Sequence, residues 1–213
     1  MKKGMRTFLA LVSIVFLCGC FPASTHAPSP TSRYYTVDYP APGPLKKWEG
    51  EATMKIESIT AVPPFSATYM VKQKTPFSRE VTRREQWQAP PATMMENLLL
   101  RDLSLALPSL IVLPKESAEN ARFVLEGKIT EFLAVEKDGE PLSRVVIIIT
   151  ILDTGEKEEN KRVAVRKYYM SEEKIRDLTP LEISRGMSAA ISHLIQEIAM
   201  DIEKGLQKRL KGR

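Results

Sequence analysis

The chain has 213 residues, with 31 basic and 26 acidic side chains and a formal net charge of +5 at pH 7. A chain of this length can bury a core without disulfides, so one domain is the default expectation. Of the two histidines, His26 lies in a Pro-, Ser- and Thr-rich segment and His193 on the solvent face of a predicted helix, so neither a His-dependent nucleophilic triad nor a His-rich metal site can be assembled.

The N-terminus has the pattern of an export signal. Three basic residues and no acid in the first six precede an apolar run, Phe8 to Leu17, that is too short to span a bilayer. The run ends in Leu17-Cys18-Gly19-Cys20, which resembles a bacterial lipobox. We predict that residues 1–19 are a signal peptide, cleaved after Gly19, and that Cys20 carries the lipid.

Two alternatives to Cys20 lipidation remain. Lipid on Cys18 would put the bulky Leu17 at the cleavage site, and a plain secretory signal would leave both cysteines incidental. With Cys20 lipidated, the mature chain keeps no free thiol for a disulfide or a metal site. Phe21 follows the cysteine where an acidic residue is associated with inner-membrane retention in enteric bacteria, which favours the outer membrane.

Residues 20–32 combine the lipidated cysteine with a Pro-, Ser- and Thr-rich tether that includes His26. Removing the signal leaves 28 basic against 26 acidic residues, so the basic balance does not indicate a nucleic-acid partner. One basic segment, Lys72 to Arg84, holds five basic residues and only Glu80 against them. It could be a solvated strand face, a lipid-headgroup patch or a partner patch.

The first half of the domain, taken as residues 33–213, is predicted to be mostly strands. Period-2 alternation predicts strands at 33–39, 54–62, 67–73 and 78–87, and the charge of the last two places them near a sheet edge. A helix should then run from Pro90-Pro91 to Leu107, because proline is tolerated at a helix start. Its apolar stripe should face the sheet: Met95, Leu99, Leu103 and Ala106.

The second half is predicted to hold an antiparallel meander and a long helix. Strands at 121–135, 142–152 and 163–170 follow a short buried strand at 110–113, and Asp138-Gly139 is a hairpin-turn signal. Thr179 and Glu182 have capping-box spacing at the start of the helix. The predicted helix stripe comprises Ile183, Met187, Ala190, Ile191, Leu194, Ile198, Ile202 and Leu206, and His193 lies on its solvent side.

These elements predict a single α+β domain with a mixed, mainly antiparallel sheet and two amphipathic helices on one face. Residues 145–152 are apolar on both pleat faces, apart from Thr150. The second apolar face is covered either by other segments of the same chain or by association with a partner or a second copy. The sequence therefore allows a homo-oligomer without requiring one.

No catalytic, cofactor-binding or metal-binding residue is expected. Glu126, Glu131 and Asp153 are the carboxylates on which a hydrolase would depend, although acids at strand edges are usually solvated. The glycines are scattered and form no phosphate-binding loop.

The order of several segments resembles a known family. After the lipobox and tether come RYYTVDYP, then REQWQAPPATMMENLLLRDL, where an Arg-x-x-Trp strand end at Trp87 feeds a helix. ARFVLEGKITEF, a long apolar strand and a final amphipathic helix follow. Together these segments resemble the auxiliary lipoprotein component of ABC-type transport systems, the family that accompanies MCE-domain lipid transporters.

The resemblance implies a non-catalytic lipoprotein of the bacterial cell envelope. It would face the periplasm on a lipid anchor and act with an MCE-domain protein, an ABC permease and an ATPase, moving phospholipid or other hydrophobic material between membranes. Two alternative functions remain. One is a lipoprotein, also non-catalytic, that assists outer-membrane assembly of lipopolysaccharide or protein. The other is an envelope hydrolase that depends on carboxylates.

Overall fold

The computed structural model describes residues 32–45 and 51–211, which belong to one compact unit. The signal peptide, Cys20 and His26 lie outside the described residues. The strands are β1 (Arg33–Tyr35), β2 (Ala52–Ala61), β3 (Tyr69–Thr75), β4 (Ser78–Trp87), β5 (Leu110–Leu113), β6 (Phe123–Lys137), β7 (Glu140–Asp153) and β8 (Val163–Lys174). Within the described part of the chain, the helices are α1 (Pro91–Ala106) and α2 (Pro180–Lys211), and a 3-10 turn spans Glu159–Lys161. Neither α1 nor α2 is both long and apolar enough to cross a bilayer.

All eight strands belong to one mixed sheet built around β6. On one side, β6, β7 and β8 form the predicted antiparallel meander. On the other side, β2 runs parallel along the first half of β6, and β3 runs parallel along its second half. β5 extends the sheet beyond β2, while β4 and then β1 extend it beyond β3. The sheet therefore forks at the middle of β6.

The mixed α+β class is confirmed, but "mainly antiparallel" describes only part of the sheet. The β3–β4, β6–β7 and β7–β8 pairings are antiparallel. The other four pairings are parallel: β1–β4, β2–β5, β2–β6 and β3–β6. The hairpins in the sequence indicated only antiparallel neighbours, because two strands joined by a tight turn must run in opposite directions.

The two helices cover one face of this sheet. α1 packs on β2 and β5, α2 packs on β7 and β8, and the two helices contact each other. Every residue of both predicted stripes is buried. α2 approaches β7 closely at Gly186, since a Cβ there would lie 2.7 Å from the Ser143 Oγ. The Ser143 hydroxyl instead donates to the Ile183 carbonyl over 3.1 Å.

The N-terminus of α2 is held by a different set of contacts from the predicted capping box. The Thr179 N–H, which the box assigns to Glu182, donates to the Asp177 carboxylate over 2.8 Å. The Glu182 carboxylate accepts from Arg176 at 2.6 Å and from Arg185 at 2.9 Å. The Arg176 hydrogen bond is the main reason that the pKa of Glu182 is lowered to about 2.

Candidate functional site

The three carboxylates of the hydrolase alternative are not brought together. Glu126 and Glu131 both lie in β6, five residues apart, which corresponds to about 16 Å along a strand. Carboxylate pairs in glycoside hydrolases are separated by about 5 to 10 Å. Asp153 in β7 pairs with Phe123 of β6, which is three positions from Glu126. Side chains alternate between the two faces of a sheet, so Asp153 and Glu126 lie on opposite faces.

Asp153 and Glu131 are engaged in ion pairs. Arg122 donates to both oxygens of the buried Asp153 carboxylate, at 3.2 and 3.1 Å. Arg144 lies between two acids, 3.3 Å from Glu131 and 2.6 Å from Glu172. These contacts tie β6, β7 and β8 together, so they account for the acids as structural partners of arginines.

Residues 36–39, here named the N-terminal strap, leave the sheet after β1 and cross both helices. The sequence predicted that the strand would continue to Tyr39, but β1 ends at Tyr35. The Ser184 hydroxyl donates to the Thr36 carbonyl, and the Asp38 N–H donates to the Ser188 hydroxyl over 3.0 Å. The strap is thereby fastened to α2 by two small polar side chains, which are spaced one helical turn apart.

The end of the strap is fastened to α1 by a buried carboxylate. The Tyr39 hydroxyl donates to Asp102 over 2.7 Å, and Arg101 donates to the other Asp102 oxygen over 2.6 Å. The Arg101 guanidinium lies 4.8 Å from the centre of the Tyr39 ring. Burial, followed by the Asp102 hydrogen bond, raises the pKa of the Tyr39 hydroxyl.

Sequence reasoning missed Asp102, although a signal was present. It lies four residues after Leu98 and three after Leu99, inside the apolar stripe of α1. A charged residue in such a stripe is buried, and a buried charge needs partners. Its position therefore indicates a polar contact from outside the helix, which the strap supplies.

The sheet face opposite the helices is only partly covered. Val146 on this face is buried, but Tyr168 and Met170 on the neighbouring strand are 55% and 53% exposed. The register pairs Ile148 with Tyr168 and Val146 with Met170, so these side chains are contiguous. We name Ile148, Tyr168 and Met170 the open-face patch. The apolar second face predicted for residues 145–152 is thus closed in part and open in part.

A groove of about 280 Å³ borders the open-face patch at Ile148. It is lined by Ser58, Thr60, Glu126, Gly127, Lys128, Ile148, Thr150 and Arg166. The exposed Glu126 of the hydrolase alternative is one of several charged side chains at its margin. His193, on the opposite side of the sheet, is exposed as predicted and lies 2.7 Å from Glu173.

The basic segment forms the β3–β4 hairpin. The two strands pair from Tyr69 to the turn at Pro76-Phe77, and only Lys72 and Gln73 also pair with β6. The predicted position near a sheet edge is confirmed, because beyond β4 only the three-residue β1 follows. Phe77 at the tip is 97% exposed.

Comparison with known proteins places this fold in a family. A model of the ABC-type transport auxiliary lipoprotein component family matches residues 35–199, which is most of the chain. The chain belongs to this family. The resemblance found in the sequence is thereby confirmed, and the family description agrees with a lipoprotein of the cell envelope. No curated protein sequence matches the chain.

Solved structures share the fold of this auxiliary lipoprotein. Protein XCC0632 from Xanthomonas campestris, of the DUF330 family, has a TM-score of 0.72 at 12% identity, over 84% of this chain and 99% of that chain. An uncharacterized protein has a TM-score of 0.62 at 16% identity, over 81% and 99%. CT253 from Chlamydia trachomatis has a TM-score of 0.51 at 11% identity, over 72% and 96%. At these identities the likeness concerns the fold alone.

Proposed function

We propose that this chain is the non-catalytic lipoprotein component of an ABC transport system that contains an MCE-domain protein, a permease and an ATPase. The system would move phospholipid or other hydrophobic material between membranes. The observation that carries the proposal is the family match over residues 35–199, which includes the strap residues, α1, the whole meander and α2 as far as Ala199. ATP hydrolysis would take place in the partner, and this chain would supply binding surfaces.

The proposal includes the maturation and location of the chain. Residues 1–19 would be removed, Cys20 would carry acyl chains, and residues 20–32 would tether the domain on the periplasmic side, with the outer membrane favoured by Phe21. Each buried methylene contributes about 0.8 kcal/mol, so one chain alone anchors marginally and two or three hold persistently.

Fractionation of cells tests the anchor. The Cys20→Ala variant should leave the membrane fraction and lack the mass added by acylation, whereas Cys18→Ala should behave as the unmodified chain does. A Cys20→Ala protein that still sediments with membrane, with unchanged mass, would show that the anchor lies elsewhere.

We assign partner docking to the open-face patch, because it is a contiguous apolar surface that residues 32–45 and 51–211 leave exposed. Co-purification of the lipidated protein should recover an MCE-domain protein with its permease and ATPase, and Met170→Glu should reduce that recovery. Leu105→Glu, at an exposed site on α1, is the matched control. Recovery of outer-membrane assembly factors in place of these partners would favour the assembly alternative.

A further inference from the structure

The tip of the β3–β4 hairpin exposes an aromatic side chain among cations. Phe77 packs against nothing in the described core, and its ring is almost completely in water. The turn at its base is closed by a 2.9 Å hydrogen bond between the Thr75 and Ser78 hydroxyls. The ring is therefore available for burial against another molecule or a membrane, which would remove its apolar surface from water.

The cations of the hairpin mostly lack acidic partners among the residues that the structure describes. Lys74 lies 3.4 Å from Glu80, but both side chains are more than half exposed, so the pair is weak. Arg79 donates to Gln73 and lies over the Phe65 ring, and within residues 32–45 and 51–211 it forms no ion pair with a carboxylate. The side chains of Lys72, Arg83 and Arg84 form no ion pair with any residue in 32–45 or 51–211.

The direction of β1 relates the hairpin to the tether. β1 runs parallel to β4, with Arg33 opposite Glu85, so the N-terminal end of β1 points toward the hairpin tip. Eight strand residues from Glu85 to Phe77 correspond to about 26 Å. Thirteen residues from Cys20 to Arg33 reach at most about 45 Å. The tip can therefore reach the same bilayer in which a lipid on Cys20 is anchored.

We propose that the hairpin tip docks on an anionic phospholipid bilayer. Phe77 enters the interfacial region, and the surrounding lysines and arginines bind headgroup phosphates. This inference rests on the lipid anchor at Cys20 proposed above. It adds a second, electrostatic contact that would orient the domain on the membrane, as one acyl chain plus a basic patch does for other anchored proteins.

A bilayer fits this surface better than an acidic protein does. A stable protein interface buries about 800 Å² on each partner around a cluster of apolar anchors. The hairpin offers one ring at the end of a two-stranded ribbon, together with the half-exposed Val81. The acidic Glu136 and Asp138 lie in and just after β6, on the β3 side of the hairpin, so the edge of β4 that precedes its pairing with β1 would face the lipid.

The experiment uses the lipidated full-length protein, reconstituted into vesicles that contain brominated phospholipid. All proteins in this experiment carry Trp48→Phe, because Trp48 is the other native tryptophan besides the buried Trp87. A Phe77→Trp variant then reports the depth of the tip through quenching of tryptophan emission. A Leu105→Trp variant, at an exposed site on α1, is the matched control. We expect quenching of the tryptophan at position 77, above that of the unsubstituted protein, in vesicles with phosphatidylglycerol and much less in phosphatidylcholine alone. The control should be quenched in neither.

Charge removal provides a second arm. In the Phe77→Trp background, Lys74→Gln with Arg79→Gln, the cations that flank the tip, should weaken docking about 25-fold, at about fivefold for each positive charge near an anionic surface. High salt should have a similar effect. Circular dichroism checks that the variants fold.

The outcomes separate docking from anchoring. Protein that fails to float with vesicles would contradict the lipid anchor. Protein that floats without quenching at position 77, or with equal quenching at position 105, would overturn docking, as would quenching unaffected by the Lys74 and Arg79 substitutions. Shielding of position 77 by an acidic co-purified protein, with no quenching by lipid, would assign the hairpin to that protein and also overturn the proposal.

Discussion

Replacing Tyr39 by phenylalanine isolates one hydrogen bond between the N-terminal strap and α1. The Tyr39 hydroxyl donates to the Asp102 carboxylate over 2.7 Å, and that carboxylate is completely buried. The substitution leaves the ring and its contact with the Arg101 guanidinium in place. Asp102 also keeps its hydrogen bond from Arg101, so it is not left without a partner.

The expected loss follows from the type of bond. A hydrogen bond to a charged group contributes about 1.5 to 3 kcal/mol. Tyr39 is only partly buried, which favours the lower half of that range. We expect the free energy of unfolding to fall by about 2 kcal/mol, and the Tm by roughly 4 to 8 °C for a domain of this size.

The pH dependence has a defined sign. Burial and Asp102 raise the pKa of Tyr39 above its ordinary value of about 10, so the unfolded chain loses this proton first as pH rises. The contribution of Tyr39 to stability is therefore complete below about pH 10 and declines above it. The difference in stability between the unsubstituted protein and Tyr39→Phe should narrow at alkaline pH.

Urea unfolding followed by circular dichroism measures these changes. Tyr34→Phe is the matched control, since Tyr34 lies in β1 just before the strap and is 64% exposed. This control should change the free energy of unfolding by less than about 0.5 kcal/mol. A double-mutant cycle that combines Tyr39→Phe with Asp102→Asn should show a coupling energy of about 0.5 to 3 kcal/mol between the two residues. A Tyr39→Phe protein as stable as the Tyr34→Phe control would refute the strap contact.

Three further substitutions test the core and the start of α2. Gly186→Ala would place a Cβ 2.3 Å from the Ile175 Cγ2. The overpacking should cost about 1 to 3 kcal/mol, which exceeds the gain of about 1 kcal/mol in helix propensity. A variant that is more stable than the unsubstituted protein in urea unfolding would contradict that close approach. Leu194→Asp should lose several kcal/mol and unfold the domain, whereas Met200→Asp at an exposed site of the same helix should not; a cooperative Leu194→Asp protein would show that the stripe is not core. The pKa of Glu182 is lowered to about 2, so its contribution is present above about pH 4.3 and lost below it, and Glu182→Gln should remove that acid-dependent loss; parallel stability curves from pH 7 to 2 would contradict this.

The sequence alone determined the local elements and the family. The α2 stripe was predictable because a helix of 3.6 residues per turn buries one face, whatever that face contacts. The β6–β7 hairpin was predictable because Asp138 and Gly139 both adopt positive φ, which its turn requires. The carboxylates Glu126, Glu131 and Asp153 could be named from the sequence, but their separation could not.

The tertiary structure decided which strands pair in parallel and what the strap does. A strand's alternation specifies which residues face inward but not which neighbour it pairs with, because parallel partners are distant in the chain. For the same reason the sequence could not predict that β2 and β3 pair with successive halves of β6. Tyr39 has strand periodicity, yet it leaves the sheet because a buried carboxylate on α1, more than 60 residues away, accepts its hydroxyl. The energy of that contact depends on Asp102 being desolvated, and only packing of the whole domain brings this about.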